Sequence, residues 1–202
     1  MDIPEPFLHI IERNYNSRSR ENWIRKFINS CFSQLIQELN ITNFQTRAKK
    51  TGDMFEYIFW FIMKNEYDIE LTNDYVIPRA CMERGGSLDF GIVNNNKVLC
   101  GIEAKGSATE IINSDGTIET LGRPALKRTD TMKKAISQAY QFKRTFPESL
   151  FYIVTNVKPE SGNSKCMMNL AEGDIVDKFI DITNQEDLNF LVEKLRSILS
   201  AI

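Results

Sequence analysis

Apolar residues recur at helical spacing in several long stretches of the chain. In 20–39, 131–146 and 188–202 they repeat every three or four positions, which predicts amphipathic helices. The stretch 52–64 is apolar on almost every side, so a buried helix is expected there. A weaker pattern at 4–15 predicts a further helix. The apolar stripe of the last helix must pack on another surface, and a partner subunit is one candidate.

Two neighbouring segments have the period of two expected of strands. Apolar and polar residues alternate over 88–93 and again over 100–105. Three asparagines at 94–96 separate the segments, and asparagine tolerates the positive φ of tight turns. The two segments therefore predict a β-hairpin.

Further strands are expected outside this hairpin. The run 150–155 is apolar throughout, which fits a strand covered on both faces. Segment 75–79 contains Pro78, which ends a strand or confines it to an edge, and segment 178–182 is a short strand candidate. The apolar strand that follows the 131–146 helix favours an α/β fold.

Polar segments at 40–51, 107–131 and 156–173 lack apolar periodicity and are expected to connect these elements. The middle segment is longer than an ordinary connection, and loops of this length in compact domains are usually functional or disordered. Thr129 or Thr131 is expected to cap the helix that follows.

Composition narrows the class of protein. The chain has 202 residues, 42% of them hydrophobic, which favours one domain with a real core. No apolar run is as long as a membrane span and the first residues lack a signal-peptide pattern, so a cytoplasmic protein with no membrane partner is expected. The four cysteines have no paired spacing and are expected to be buried, reduced thiols. His9, the only histidine, is expected to be structural, which argues against a Ser-His-Asp triad or a histidine-based zinc site.

Charge is distributed unevenly along the chain. The net charge of −2 provides no global basic field and argues mildly against a protein that simply coats nucleic acid. Local basic clusters nevertheless occur at 47–50, 127–128 and 133–134.

The predicted hairpin brings three charged side chains to one face. If residues 95–97 form the loop, Asp89 lies directly opposite Glu103. If the loop lies one residue earlier, Glu103 is the diagonal neighbour of Asp89. Lys105 shares the same face in both registers. Two carboxylates this close repel each other unless a cation lies between them. Beside an ammonium group they suit Mg²⁺, with Mn²⁺ as a substitute. The alternative is an ordinary surface-facing hairpin with polar residues on its solvent side.

Asp89 on one strand and Glu103-Ala104-Lys105 on the next resemble the signature of the PD-(D/E)XK nucleases. Leu88 departs from the pattern, because it occupies the position of the signature proline. The order of helix, three strands, helix and strand over residues 52 to about 156 also resembles the core of these nucleases. The resemblance implies a restriction-endonuclease-like core, in which helices flank a mixed central sheet, with helical additions at both ends.

This resemblance divides the single domain, 1–202, into three parts. They are an N-terminal helical part (1–50), a catalytic core (51–156), and a C-terminal strand and helix (157–202). Glu56 matches a glutamate that often joins the metal shell in such nucleases; the alternative is a glutamate at a helix edge bonded to a nearby arginine or lysine.

The resemblance implies metal-dependent hydrolysis of DNA phosphodiester bonds, leaving 5′-phosphate and 3′-hydroxyl ends. Asp89, Glu103 and Lys105 would be catalytic, with Glu56 as a further candidate, and the three carboxylates would bind Mg²⁺. Gln138 and Tyr140 do not match the spacing of the glutamine and tyrosine that some relatives carry, and are assigned no role. The residues expected to contact DNA are basic and lie in or just after the long polar segment: Arg123, Lys127, Arg128 and Lys133.

Within this superfamily the chain most resembles a type II restriction endonuclease that acts as a homodimer on palindromic double-stranded DNA. Repair, junction-resolving and phage-defence nucleases share the core and remain alternatives. A non-catalytic nucleic-acid-binding module and an unrelated α/β protein with a chance motif are alternatives from other classes.

Overall fold

The computed structural model describes residues 1–16, 23–76, 87–113 and 115–201, except the side chains of Tyr75 and Val76. Among these residues three helices come first, five strands follow, and helices and strands alternate only from residue 129 onward. The helices are α1 (Glu5–Asn16), α2 (Trp23–Glu38), α3 (Phe44–Tyr67), α4 (Thr129–Thr145), α5 (Gly162–Ala171) and α6 (Gln185–Ser200). The strands are β1 (Thr72–Val76), β2 (Ser87–Asn94), β3 (Lys97–Ala104), β4 (Glu110–Ile112), β5 (Ile118–Thr120), β6 (Leu150–Thr155) and β7 (Lys178–Asp181).

Five of the strands form a mixed sheet in the order β1-β2-β3-β6-β7. The first three strands pair antiparallel, whereas β3, β6 and β7 run parallel and are connected through helices, as parallel strands require. Strands β4 and β5 form a separate two-stranded sheet. The predicted α/β fold is confirmed. None of the helices in the described part of the chain is both long enough and apolar enough to cross a bilayer.

The sheet lies between two hydrophobic layers. One layer joins its apolar side chains to those of α1, α2, α3 and α6. The other joins them to α4 and α5. The apolar stripe of α6 is covered within the chain, because Leu188, Leu191 and Leu195 are fully buried in the first layer. This stripe therefore needs no partner subunit to cover it, although one was a candidate from the sequence.

The central hairpin turns on two residues rather than the expected three. Asn95 and Asn96 have φ of 47° and 61°, the positive values for which asparagine is suited. Lys97 already belongs to β3 and pairs with Asn94. The predicted hairpin is confirmed, but the inclusion of Lys97 in its loop was wrong.

A β-bulge restores the register that this shorter turn would otherwise lose. Between Ile92 and Val93 the pairing shifts by one, and Leu99 on β3 is left without a partner. The register beyond the bulge, continued by one residue, brings Asp89 opposite Glu103. If Leu99 were paired with Ile92 instead of bulged, the register would differ by one position and these two carboxylates would lie on opposite faces of the sheet. The first of the two predicted registers is therefore the observed one.

Helix α3 begins well before the predicted start at residue 52. The side chain of Asn43 accepts hydrogen bonds from the backbone N–H of Gln45 (2.8 Å) and Thr46 (3.2 Å), so it caps a helix that begins at Phe44. The polar stretch 40–51 concealed this start, since the apolar pattern begins only near Met54. A continuous helix thus crosses the boundary between the two parts expected at 1–50 and 51–156.

The polar segment 107–131, expected to be a loop, contains regular structure. Strands β4 and β5 form a hairpin against α2, where Ser33 Oγ accepts a hydrogen bond from Ile112 N (2.9 Å). A 3₁₀ turn at Ala125–Lys127 then leads directly into α4. The cap position of α4 is Arg128, which makes no side-chain cap bond, so the expected threonine cap was wrong.

Helix α5 lies inside the other segment expected to be a loop, 156–173. Only Ser164, Met168 and Ala171 of this short helix are buried, which leaves too little apolar periodicity to identify it. On the same helix Cys166 is exposed, contrary to the expectation of buried thiols, whereas Cys31 and Cys100 are buried. Cys81 and Pro78 lie outside the described residues.

Candidate metal centre

Three charged residues of the central hairpin meet at one end of β2 and β3. Lys105 Nζ lies 3.7 Å from Asp89 Oδ2 and forms a close ion pair with Glu103 Oε1. Asp89 Oδ2 also accepts a hydrogen bond from the backbone N–H of Ala104 (2.7 Å), which ties β2 to β3 beside the carboxylate pair. The three residues that the sequence placed on one face are therefore in contact.

Glu103 is the most deeply buried member of this group. Its side chain is 1% exposed, whereas those of Asp89 and Lys105 are each 20% exposed. Gln138 on α4 approaches the carboxylate and favours its charged form, yet Glu103 Oε2 has no hydrogen-bond partner of ordinary geometry in the described part of the chain. A buried carboxylate oxygen without a partner is unfavourable, so this atom is available to a further ligand.

The carboxyl groups hold their protons more tightly than isolated ones. Burial raises the pKa of Glu103 to about 7, with a further contribution from Asp89 and an opposing one from Lys105. Burial, followed by the charge of Asp89, raises the pKa of Glu56 to about 9. For Lys105 burial lowers the pKa, but Glu103 and Asp89 together raise it above its usual range. Lys105 is therefore a protonated ammonium group at neutral pH.

Glu56 reaches this group from the other side of the site. It lies on α3 and is close enough to Asp89, Lys105 and Glu103 for each charge to affect its pKa. One interpretation from the sequence was a glutamate bonded to a nearby arginine or lysine. Among the described residues, no arginine or lysine forms an ion pair with Glu56. It stands instead as a half-buried carboxylate beside the Asp89–Glu103–Lys105 group.

Gly106 sets the distance between α3 and β3. A Cβ at this position would overlap the ring of Phe55, which precedes Glu56 on α3. Only glycine allows the backbone after Lys105 to approach the helix this closely. The spacing between Glu56 and the hairpin residues therefore depends on Gly106 having no side chain.

The donor set of this group fits Mg²⁺. No cluster of three or more His, Cys, Asp or Glu side chains arranged for metal binding occurs among the described residues. Mg²⁺ commonly uses only one or two protein carboxylates and keeps several waters. Asp89 and Glu103 meet that requirement, and the unpartnered Glu103 Oε2 is an available oxygen ligand.

A cavity of about 470 Å³ opens beside the carboxylates, with Glu56 and Lys105 in its wall. Asp89 and Glu103 are not among the residues that line it. Eight charged side chains line the cavity. Three are acidic (Asp53, Glu56 and Glu119), and five are cationic: Arg47, Lys49, Lys105, Arg123 and Arg128.

The four residues expected to contact DNA are not all brought together. Arg123 and Arg128 line the main cavity, and both also line an adjoining pocket that includes Lys133. Lys127 lines neither of these and lies toward the loop before α5. The structure thus groups three of the four around the candidate site.

Sequence reasoning missed several residues around the cavity. Phe44, Arg47 and Lys49 lie on the first turns of α3 and enter its wall. The basic cluster at 47–50 could be identified from the sequence. Recognising Asn43 as a helix cap would have placed this cluster on the same helix as Glu56. Gln138, to which no role was assigned, approaches Glu103.

No protein-family model matches this chain, and no curated protein is similar to it. The class of protein is therefore defined by the fold and the site alone. The chain is an α/β protein in which a mixed five-stranded sheet, flanked by helices, holds two acidic side chains and a lysine at the end of adjacent strands.

We expect the free energy of unfolding of the metal-free protein to fall as the pH rises from about 5 to about 9. The pKa of Glu103 (about 7) and that of Glu56 (about 9) exceed the ordinary value of 4.5 in the folded state. The stability that each carboxyl group contributes is therefore fully present below its pKa in the unfolded chain, and it is lost as the pH rises through its pKa in the folded protein. Urea unfolding in EDTA across this pH range measures it.

The Glu103→Gln variant should show a weaker pH dependence, because the amide does not titrate. Glu193→Gln, an exposed position on α6, is the matched control and should keep the wild-type dependence. A stability that stays constant or rises with pH in the wild-type protein would contradict the raised pKa values.

Proposed function

We propose that this protein is a Mg²⁺-dependent endonuclease that hydrolyses DNA phosphodiester bonds. The observation that carries the proposal is the buried Glu103, whose Oε1 pairs with Lys105 next to Asp89 and whose Oε2 has no hydrogen-bond partner of ordinary geometry among the described residues. The group adjoins a cavity whose wall carries more cationic than acidic side chains, which suits a polyanionic substrate.

The residues would divide the work as follows. Asp89 and Glu103 would hold the metal, and Glu56 would act as a further acidic residue near them, since its pKa is raised by burial and then by their charges. When bound, Mg²⁺ supplies polarisation of the scissile phosphate and an activated water. Lys105 orients the attacking water and offsets the negative charge that develops on the phosphate. Its raised pKa favours this role over deprotonation of the water, since a lysine acting as a base needs a lowered pKa.

The order of elements supports the same proposal. Helix α3, strands β1 to β3, helix α4 and strand β6 occur in the order of the PD-(D/E)XK core that the sequence resembles, with the β4–β5 hairpin inserted between β3 and α4. The departure at Leu88 remains, since that residue is fully buried against the α4 layer. Arg123, Arg128 and Lys133 are the proposed phosphate contacts, because they surround the cavity and its adjoining pocket.

The narrower proposal is a cytoplasmic type II restriction endonuclease that cuts palindromic double-stranded DNA as a homodimer. It rests on the resemblance of the sequence and on the match between two-fold protein symmetry and a palindrome. Repair, junction-resolving and phage-defence roles are served by the same chemistry.

Incubation of the purified protein with unmethylated phage DNA, with Mg²⁺ and with EDTA, tests the proposal. We expect cleavage that requires Mg²⁺ and leaves 5′-phosphate ends. Discrete fragments support the restriction enzyme, whereas a smear supports a nuclease without that sequence specificity. Absence of cleavage with Mg²⁺ or Mn²⁺ on duplex, single-stranded and branched DNA would contradict the proposal and favour a non-catalytic binding module.

A further inference from the structure

An aromatic ring stands exposed at the rim of the cavity. Phe44, the first residue of α3, is 57% exposed, although single exposed apolar residues are common on protein surfaces. The side chain of the preceding residue, Asn43, caps the helix. The ring is thus carried by the first residue of a capped helix.

Two guanidinium groups flank this ring. The Cζ atom of Arg47 lies 5.9 Å from the ring centroid, and that of Arg128 lies 5.5 Å from it. Each arginine is also held by a carboxylate: Arg47 by Glu119 at 3.9 Å and Arg128 by Asp130 at 2.9 Å. The arginines come from α3 and from the start of α4, so two separate elements build one aromatic and cationic cluster, Phe44–Arg47–Arg128.

The cluster lies where two pockets meet. Phe44 and Arg128 line both the main cavity of about 470 Å³ and the adjoining pocket of about 590 Å³, which contains Lys133. Volumes of roughly 300–1,000 Å³ are typical of sites for small molecules. A double helix, whose major groove alone is about 12 Å wide, is too large to enter them. Each pocket has the size for a single nucleotide.

We infer that an unpaired nucleobase of the DNA substrate stacks on Phe44, with its neighbouring phosphates on Arg128 and Lys133. Every base has a flat π-face that an aromatic side chain can stack on, and arginine adds cation–π attraction. The inference rests on the proposed function and specifies its substrate: DNA that presents at least one unpaired nucleotide beside the scissile bond. That nucleotide comes either from a single-stranded end or from a base extruded from a duplex.

Binding measured without cleavage tests this inference. Fluorescence anisotropy in EDTA, at one fixed ionic strength, would compare three DNAs: a blunt duplex, the same duplex with a single-stranded extension, and the same duplex with one bulged base. We expect Phe44→Ala to weaken binding of the second or third DNA by roughly 5- to 150-fold, the range for loss of one stacked base. Binding of the blunt duplex should change little.

Tyr140 provides a matched control. It is also exposed (52%) and also carries an arginine on its ring, with Arg144 Cζ at 5.7 Å, but it lines neither pocket. Tyr140→Ala should bind all three DNAs as the wild-type protein does. Phe44→Trp should retain binding, because it keeps a π-face, whereas Phe44→Leu should lose it despite its apolar bulk.

The outcomes separate the two proposals. An effect on the extended duplex alone identifies a strand end as the source of the nucleotide, and an effect on the bulged duplex alone identifies an extruded base. Equal binding of all three DNAs by Phe44→Ala and the wild-type protein overturns the inference, even if Mg²⁺-dependent cleavage is found. A Phe44 effect without any cleavage supports the stacking site and overturns the nuclease.

Discussion

Replacing Lys105 by alanine is expected to lower the rate of Mg²⁺-dependent DNA cleavage by about 10²–10³-fold, the usual effect of removing one group that stabilises charge in a transition state. The ammonium lies 3.7 Å from Asp89 Oδ2 and pairs with Glu103, so it is held beside the two carboxylates that would hold Mg²⁺, where it can offset negative charge on the scissile phosphate. Single-turnover cleavage of a DNA substrate at saturating Mg²⁺ measures the change.

A lysine on the same hairpin serves as the control. Lys97 is exposed at the turn end of β3, and Lys97→Ala should cleave at the wild-type rate. The circular dichroism spectrum and melting temperature of Lys105→Ala, measured at the pH of the cleavage assay, show whether the carboxylates left without the lysine disturb the fold. Near-wild-type cleavage by a folded Lys105→Ala protein would remove Lys105 from the mechanism.

The second large effect is expected at Gly106. In Gly106→Ala the new methyl group would overlap the ring of Phe55, so either α3 or the chain after β3 must move. Overpacking of this kind destabilises proteins by about 1–3 kcal/mol, and sometimes more. For a chain of this size, each kcal/mol lowers the melting temperature by about 2–4 °C. Cleavage should fall as well, since Glu56 follows Phe55 on the displaced helix.

Gly122→Ala is the matched control for this substitution. No atom lies within 4 Å of a Cβ at Gly122, so its alanine variant should melt as the wild-type protein does. Phe55→Leu combined with Gly106→Ala should recover part of the loss if the clash is the cause, which a double-mutant cycle measures. Unchanged stability of Gly106→Ala would show that the helix and strand can separate without cost.

The two carboxylates and the lysine could be brought together from the sequence because they lie on one hairpin. A strand alternates its side chains between two faces, so Asp89, Glu103 and Lys105 share a face once the turn is located. The helices with strong stripes, such as α2 and α6, follow equally from local periodicity. In each case the spacing of the apolar residues along the chain predicts which of them are buried.

Only the tertiary structure decided the features that depend on single residues or distant contacts. The bulge at Leu99 sets the hairpin register, the cap at Asn43 starts α3 early, and α5 is too short to produce a periodic signal. Likewise, α6 finds its cover within the chain, and Phe44 meets Arg128 across the cavity rim. Periodicity reports which faces of an element are apolar, but the packing of one element on another determines which faces and side chains meet.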